Sequence, residues 1–148
     1  MAIEYTLYID TECALPRLRE SVCACIRDES DMSPTGTLTF SGEKLLGTVS
    51  AVNEVTRQFV SEDFSFNARA RVTFRLDKFA LADSQDSLVR CVAAVLAADP
   101  SDAILLFNGE TVVLRRRGSD LVLREGFGPW TSARLQPLGR SYRIGPIE

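Results

Sequence analysis

The stretch "AILLFNGETVVLRRRGSDLVL", Ala103–Leu123, constrains the fold more than any other part of the chain. Asn108-Gly109 is its strongest local signal, because a tight turn with positive φ at both central residues is suited to asparagine followed by glycine. An apolar run before it and an alternating segment after it then form a hairpin. Gly118-Ser119 turns the chain again into Leu121–Arg124, so the stretch predicts a three-strand meander. "AILLF" is apolar without interruption, as expected of a strand covered on both sides. The second strand ends in Arg115, Arg116 and Arg117, and what three consecutive arginines do there is the functional question.

The remaining segments complete a sheet-and-helix pattern. Ile3, Tyr5, Leu7 and Ile9 alternate with Glu4, Thr6 and Tyr8, predicting a strand with one apolar and one polar face. Leu15, Leu18, Val22, Cys25 and Ile26 share one helical stripe, with Pro16 in the first turn, and the polar run from Arg27 to Ser33 ends it. "DESDMSPTG" reads as a loop; Thr37–Phe40 and Leu45–Val52 read as a hairpin around "SGEK". Between Asn53 and Asn67 the apolar pattern is mixed, and a short helix is assigned over Glu54–Glu62.

"ARVTFRLDKF" alternates clearly, with Val72, Phe74 and Leu76 on one face and Arg71, Thr73, Arg75 and Asp77 on the other. Asp83 or Ser84 is the expected cap of a second long helix, whose stripe is Leu88, Cys91, Val92, Val95 and Leu96 and which ends before Pro100. After Gly126 the chain is irregular, with one short strand near Tyr142–Ile144. The fold class is therefore α+β. Two long helices should cover one face of a mainly antiparallel sheet, made mixed by a crossover between Phe79 and Ala103. One domain is expected over residues 1–148, with 126–148 irregular, and the other face of the sheet is expected to stay open.

At 148 residues, 45% hydrophobic and 25% charged, the chain has the composition of a soluble globular protein. The first ten residues alternate and carry Glu4, so they read as a strand rather than a secretory signal, and no apolar run is long enough to span a membrane. A cytoplasmic location follows. Cys13, Cys23, Cys25 and Cys91 fit it as reduced structural thiols: none has C-x-x-C spacing, and Cys23 and Cys25 point to nearly opposite sides of a helix. The chain has no histidine, which removes His-based triads and the usual zinc sites. No spacing singles out an acid–base pair, "SGEK" and "GFGP" lack a phosphate-loop pattern, and Asp99 and Asp102 are expected to bind backbone at a helix end. An enzyme is not expected, and no cofactor or metal is called for.

Charge is uneven: residues 1–110 hold 10 basic against 17 acidic groups, and residues 111–148 hold 7 against 3. Arginine outnumbers lysine 15 to 2, a bias too general to indicate nucleic-acid binding in a chain of net charge −3. Strand alternation puts Arg115 and Arg117 on one face and Arg116 on the other, with Val112 and Leu114. Two readings follow. The strand leaves the core at Arg116 and all three are solvated; or Arg115 and Arg117 join Arg71, Arg75, Tyr8 and Thr73 on the open face, where guanidinium groups can grip carboxylates. Trp130, beside Pro129 in a loop, either caps the core edge or anchors a partner.

Three stretches, "MAIEYTLYI", "VTFRLDKF" at Val72–Phe79 and "DAILLFNGETVVLRRRGSDLVL" at Asp102–Leu123, together resemble the Sit-type immunity family. These are cytoplasmic bacterial proteins that protect a cell from a swarming-inhibition toxin delivered by its kin. The resemblance covers about a third of the chain directly; Asn53–Asn67 and the tail after Gly126 are not matched. It implies a protein that neutralises a cognate toxin by direct stoichiometric binding, without chemistry of its own; the acidic net charge and the lack of a long apolar run give the expectation of no nucleic-acid or membrane partner. The resemblance carries over no contact residues. From the residues alone, the expected partner surface is Arg71, Arg75, Arg115, Arg117, Tyr8 and Trp130, or else the acidic surface of residues 1–110 facing a basic effector. The alternative function is a small-molecule or nucleotide-binding module using the arginine-bearing sheet face.

Overall fold

The computed structural model describes residues 3–12, 15–23, 38–42, 44–138 and 141–147. The expected loop over 28–36, the last turn of the first helix with Cys25 and Ile26, Glu43 of the "SGEK" turn, and Cys13 lie outside them. Among the described residues eight strands form one sheet: β1 (Ile3–Ile9), β2 (Leu38–Gly42), β3 (Leu45–Ala51), β4 (Ala70–Leu76), β5 (Ala103–Phe107), β6 (Thr111–Arg117), β7 (Asp120–Arg124) and β8 (Arg143–Gly145). The helices are α1 (Leu15–Cys23), α2 (Glu54–Phe64), α3 (Leu81–Ala98) and the short α4 (Ser132–Leu135).

Strand order across the sheet is β2-β3-β4-β1-β5-β6-β7-β8. Every neighbouring pair is antiparallel except β7 and β8, which run parallel, so the sheet is mixed and mainly antiparallel. β4 and β5 flank β1 and are both antiparallel to it, hence parallel to each other. The α3 crossover joins those two with β1 inserted between them. At the tip of the β5–β6 hairpin Asn108 and Gly109 have φ of 50° and 74°, the positive values that this dipeptide predicts.

α1 and α3 pack side by side on one face. Leu18, Leu88, Cys91, Val92, Val95 and Leu96 form a single core with Tyr5, Leu7, Ile9, Val72, Phe74, Leu105, Leu114 and Leu123 of the sheet. At roughly 1.5–3 kcal/mol per fully buried large apolar side chain, this layer dominates stability. α3 begins earlier than its expected cap. Asp77 accepts the Phe79 N–H at 2.9 Å and caps a 3-10 turn, Lys78–Ala80, that leads straight into Leu81. Ser84 is consequently inside the helix and buried, its hydroxyl 2.9 Å from both Lys44 O and Ala80 O, fastening α3 to the turn before β3.

The second face is not left open. α2 lies across it, held by Asn53, whose side chain accepts the Thr56 N–H at 2.8 Å, and closed by Ser65 in the left-handed region. Val60, Phe66, Ala68 and Ile147 form a second apolar cluster with Tyr8, Ile104, Leu106, Val112 and Val122. Thr6 and Tyr8, expected on a wet face, are buried because this layer covers the centre of the sheet. The unbroken "AILLF" run anticipated that cover: Ala103, Leu105 and Phe107 pack under α3, and Ile104 and Leu106 under the α2 layer. What stays accessible on this face is mainly its β3–β4 side, where Leu46 and Arg75 are exposed and Thr48, Ser50, Arg71 and Thr73 half-buried.

Candidate functional site

The arginine triplet is sorted by a β-bulge. Leu105 pairs with Leu114 but Leu106 with Val112, so Val113 is an extra residue in β6. Val113 and Leu114 both join the core under the helices, and Val112 joins the opposite cluster, so the expected grouping of Val112 with Leu114 and Arg116 does not hold. The Val113 carbonyl instead accepts the Trp130 indole N–H at 2.9 Å, and the Trp130 ring lies 5.5 Å from that of Phe127. Phe127 in turn meets Tyr5 and Phe107. Trp130 thus packs on the helix side of the sheet, away from the other expected contact residues.

Arg116 is neither solvated nor part of a polar platform; only 1% of it is accessible. Its Nε donates to Ser101 O at 2.9 Å and its Nη1 to Leu96 O at 2.7 Å, and Nη2 reaches Asp99 O. These carbonyls belong to the end of α3 and the loop after it, so one guanidinium caps the helix and puts a cation at the negative end of its dipole. Asp99 completes the arrangement: its side chain accepts the Ser101 N–H at 2.9 Å and the Thr11 hydroxyl. Burial opposes ionisation of Asp99, but hydrogen bonds from Ser101 and Thr11 and the nearby Arg116 charge outweigh it and hold the carboxyl below its usual value. Asp102, also expected to bind backbone, accepts the Gly118 N–H at 2.8 Å.

The remaining expected residues fall into two patches. Arg71, half-buried, donates to Ser50 Oγ at 3.3 Å and sits between Ser50 and Tyr8 in the cross-strand row; Arg75 is exposed in the row of Leu46 and Glu4. Arg115 lies in the row of Ile104 and Val122, and Arg117 opposite Asp120. Three strand spacings, roughly 14 Å, separate β4 from β6. Tyr8 fills the ground between them but is only 9% exposed, packed among the apolar side chains of the second cluster. Arg143, which the sequence pattern did not single out, grips Asp120 with two bonds of 3.0 and 3.1 Å. That pairing, aided by the charges of Arg143 and Arg115, lowers the Asp120 carboxyl.

The clefts lined by described residues include two with charged side chains in their walls. One, of about 250 Å³, lies between α3 and α4 and is lined by Asp86, Arg90, Ala133 and Arg134, with Arg134 Nε bound to Asp86 Oδ1 at 2.6 Å. The other, of about 300 Å³, is lined by Arg17, Glu20, Ser21 and Asp99, the last already engaged by Thr11 and Ser101. No group of three metal-ligating side chains and no helix long and apolar enough to cross a membrane occurs among the described residues.

α2 explains why its sequence pattern is mixed. It carries two apolar i,i+4 pairs on different sides. Val60 and Phe64 pack on the second cluster, while Val55 and Phe59 are 65% and 61% exposed. Helical spacing alone cannot say which pair faces inward.

A family profile described as SitI3-like matches residues 3–134, from β1 into α4. No curated protein and no solved structure matches the chain.

Proposed function

The chain belongs to the SitI3-like family, and from that membership we propose that it is an immunity protein that neutralises a cognate toxin by direct stoichiometric binding. In this reading it acts in the cytoplasm of the cell it protects and performs no reaction of its own. The family match is the observation that carries the proposal. The geometry is compatible with it: the buried Arg116 is committed to a helix end, and Asp99 and Asp102 at the α3 terminus are engaged by neighbours.

The test is co-expression with the products of the genes that flank this one, each scored for toxicity. Rescue of growth, with both proteins in one peak on size exclusion, is the expected result; no rescue and no complex would defeat the proposal. If arginines make the contact, the two patches separate the possibilities. Arg71→Glu/Arg75→Glu and Arg115→Glu/Arg117→Glu should fold, and the pair that touches toxin should weaken binding. Unchanged affinity in both would remove the arginine surface from consideration.

A further inference from the structure

The arginine patches are split across the sheet, whereas α2 presents one continuous outer surface built differently. Val55, in the first turn, and Phe59, at the middle of the helix, stand one turn apart, 65% and 61% exposed. Isolated exposed apolar residues are ordinary; a valine–phenylalanine pair on the side opposite an equally apolar buried pair leaves a helix with one apolar stripe covered and one bare. Phe79, 89% exposed, differs because the Lys78 ammonium sits 5.2 Å from its ring centre.

The frame around Val55 and Phe59 is acidic. Glu54, Glu62 and Asp63 are all exposed on this helix, against a single cation, Arg57, which lies 4.0 Å from Glu54 and donates through Nε to Ala68 O at 3.4 Å, so the helix keeps a net negative outer surface carried by Glu62 and Asp63. α2 is capped at Asn53 and Ser65 and anchored by Val60 in the second cluster, so its outer residues are presented on a formed helix. An aromatic anchor ringed by one sign of charge fits a partner with an apolar pocket in a basic surround.

We propose that the outer face of α2 is the toxin-docking epitope, with Phe59 and Val55 entering an apolar pocket on the toxin and lysines or arginines around that pocket meeting Glu54, Glu62 and Asp63. The proposal rests on the immunity reading and adds to it the contact surface and the charge of the partner.

The experiment titrates the purified toxin identified by that co-expression against wild type, Val55→Ser/Phe59→Ser and Glu54→Lys/Glu62→Lys/Asp63→Lys. Amide hydrogen exchange over residues 54–64 is followed with and without toxin. Expected are at least about a 30-fold loss of affinity for the apolar variant, a slower and less salt-sensitive association for the charge variant, and added protection of 54–64 in the wild-type complex. Unchanged affinity in both folded variants, or no added protection over 54–64 in a wild-type complex that does form, overturns the epitope alone. Should a variant fail to fold, the wild-type exchange result decides. Wild type that does not bind the toxin overturns the immunity reading, and the epitope with it.

Discussion

Replacing Arg116 by methionine should lower unfolding free energy by about 3–5 kcal/mol, because the carbonyls of Leu96, Asp99 and Ser101 would lose a buried charged donor. Lysine should rescue little of this, since a single ammonium cannot match three directions served by a planar fork. Alanine at Arg115 or Arg117 should stay within about 0.5 kcal/mol of wild type. Urea midpoints of the four variants check the ranking. Strand alternation read from the sequence did separate Arg116 from its neighbours, but its partners lie at the end of a helix about 20 residues earlier. No local pattern announces such a contact, and the reading of Arg116 as solvated at the strand's exit from the core does not hold. Tyr5 supplies a pH test. Burial pushes its hydroxyl from 10.0 up to about 12, against a smaller opposing effect of Arg134. An unfolded tyrosine ionises near 10, so this contribution is intact below pH 10 and is lost as pH rises toward 12, amounting to about 2–3 kcal/mol. Denaturation of wild type across that window should show the loss, and Tyr5→Phe should remove it.

At the scale of elements, what the sequence made legible was local. Alternation located β1 and β4, the apolar stripe located α3, and Asn108-Gly109 located the hairpin with its backbone signs. Gly109→Ala, at φ 74°, should therefore cost about 1 kcal/mol or more in the same assay. What it did not show required knowledge of a partner. The start of α3 was misplaced because Ser84 serves as a tie to Lys44 O rather than as a cap. The bulge at Val113 escaped because one extra residue in an apolar run leaves no mark until the facing strand is known. Trp130 stabilises that irregularity by donating to the carbonyl of the bulged residue. Trp130→Phe keeps the ring contacts but leaves Val113 O without this donor, and should destabilise by about 1–3 kcal/mol. α2 was ambiguous for another reason: two apolar pairs at helical spacing compete for the inward side, and only the sheet selects Val60 and Phe64.

At the scale of the molecule, the expected arrangement of two long helices on one face of a mainly antiparallel sheet is present, and the expected bare face is not. Covering that face with α2 and Ile147 removes the broad platform on which Arg71, Arg75, Arg115, Arg117, Tyr8 and Thr73 would have stood together. Tyr8 is buried there, Trp130 lies on the other side, and the four arginines divide between β4 and β6. The outward surface passes instead to α2. This shift alters the expected chemistry of recognition, from arginines gripping carboxylates to an aromatic anchor in an acidic frame. Under the latter, association with toxin should slow as salt is raised while dissociation changes little, which stopped-flow measurement resolves.

The account depends on neutralisation by occupancy, and titrating the toxin's activity with purified protein tests it most directly. The account predicts activity falling in proportion to added protein and reaching zero at a fixed whole-number ratio, with complex formation tracking inhibition. Complete inactivation by a small fraction of an equivalent, or persistent activity in the presence of excess folded protein, would contradict it.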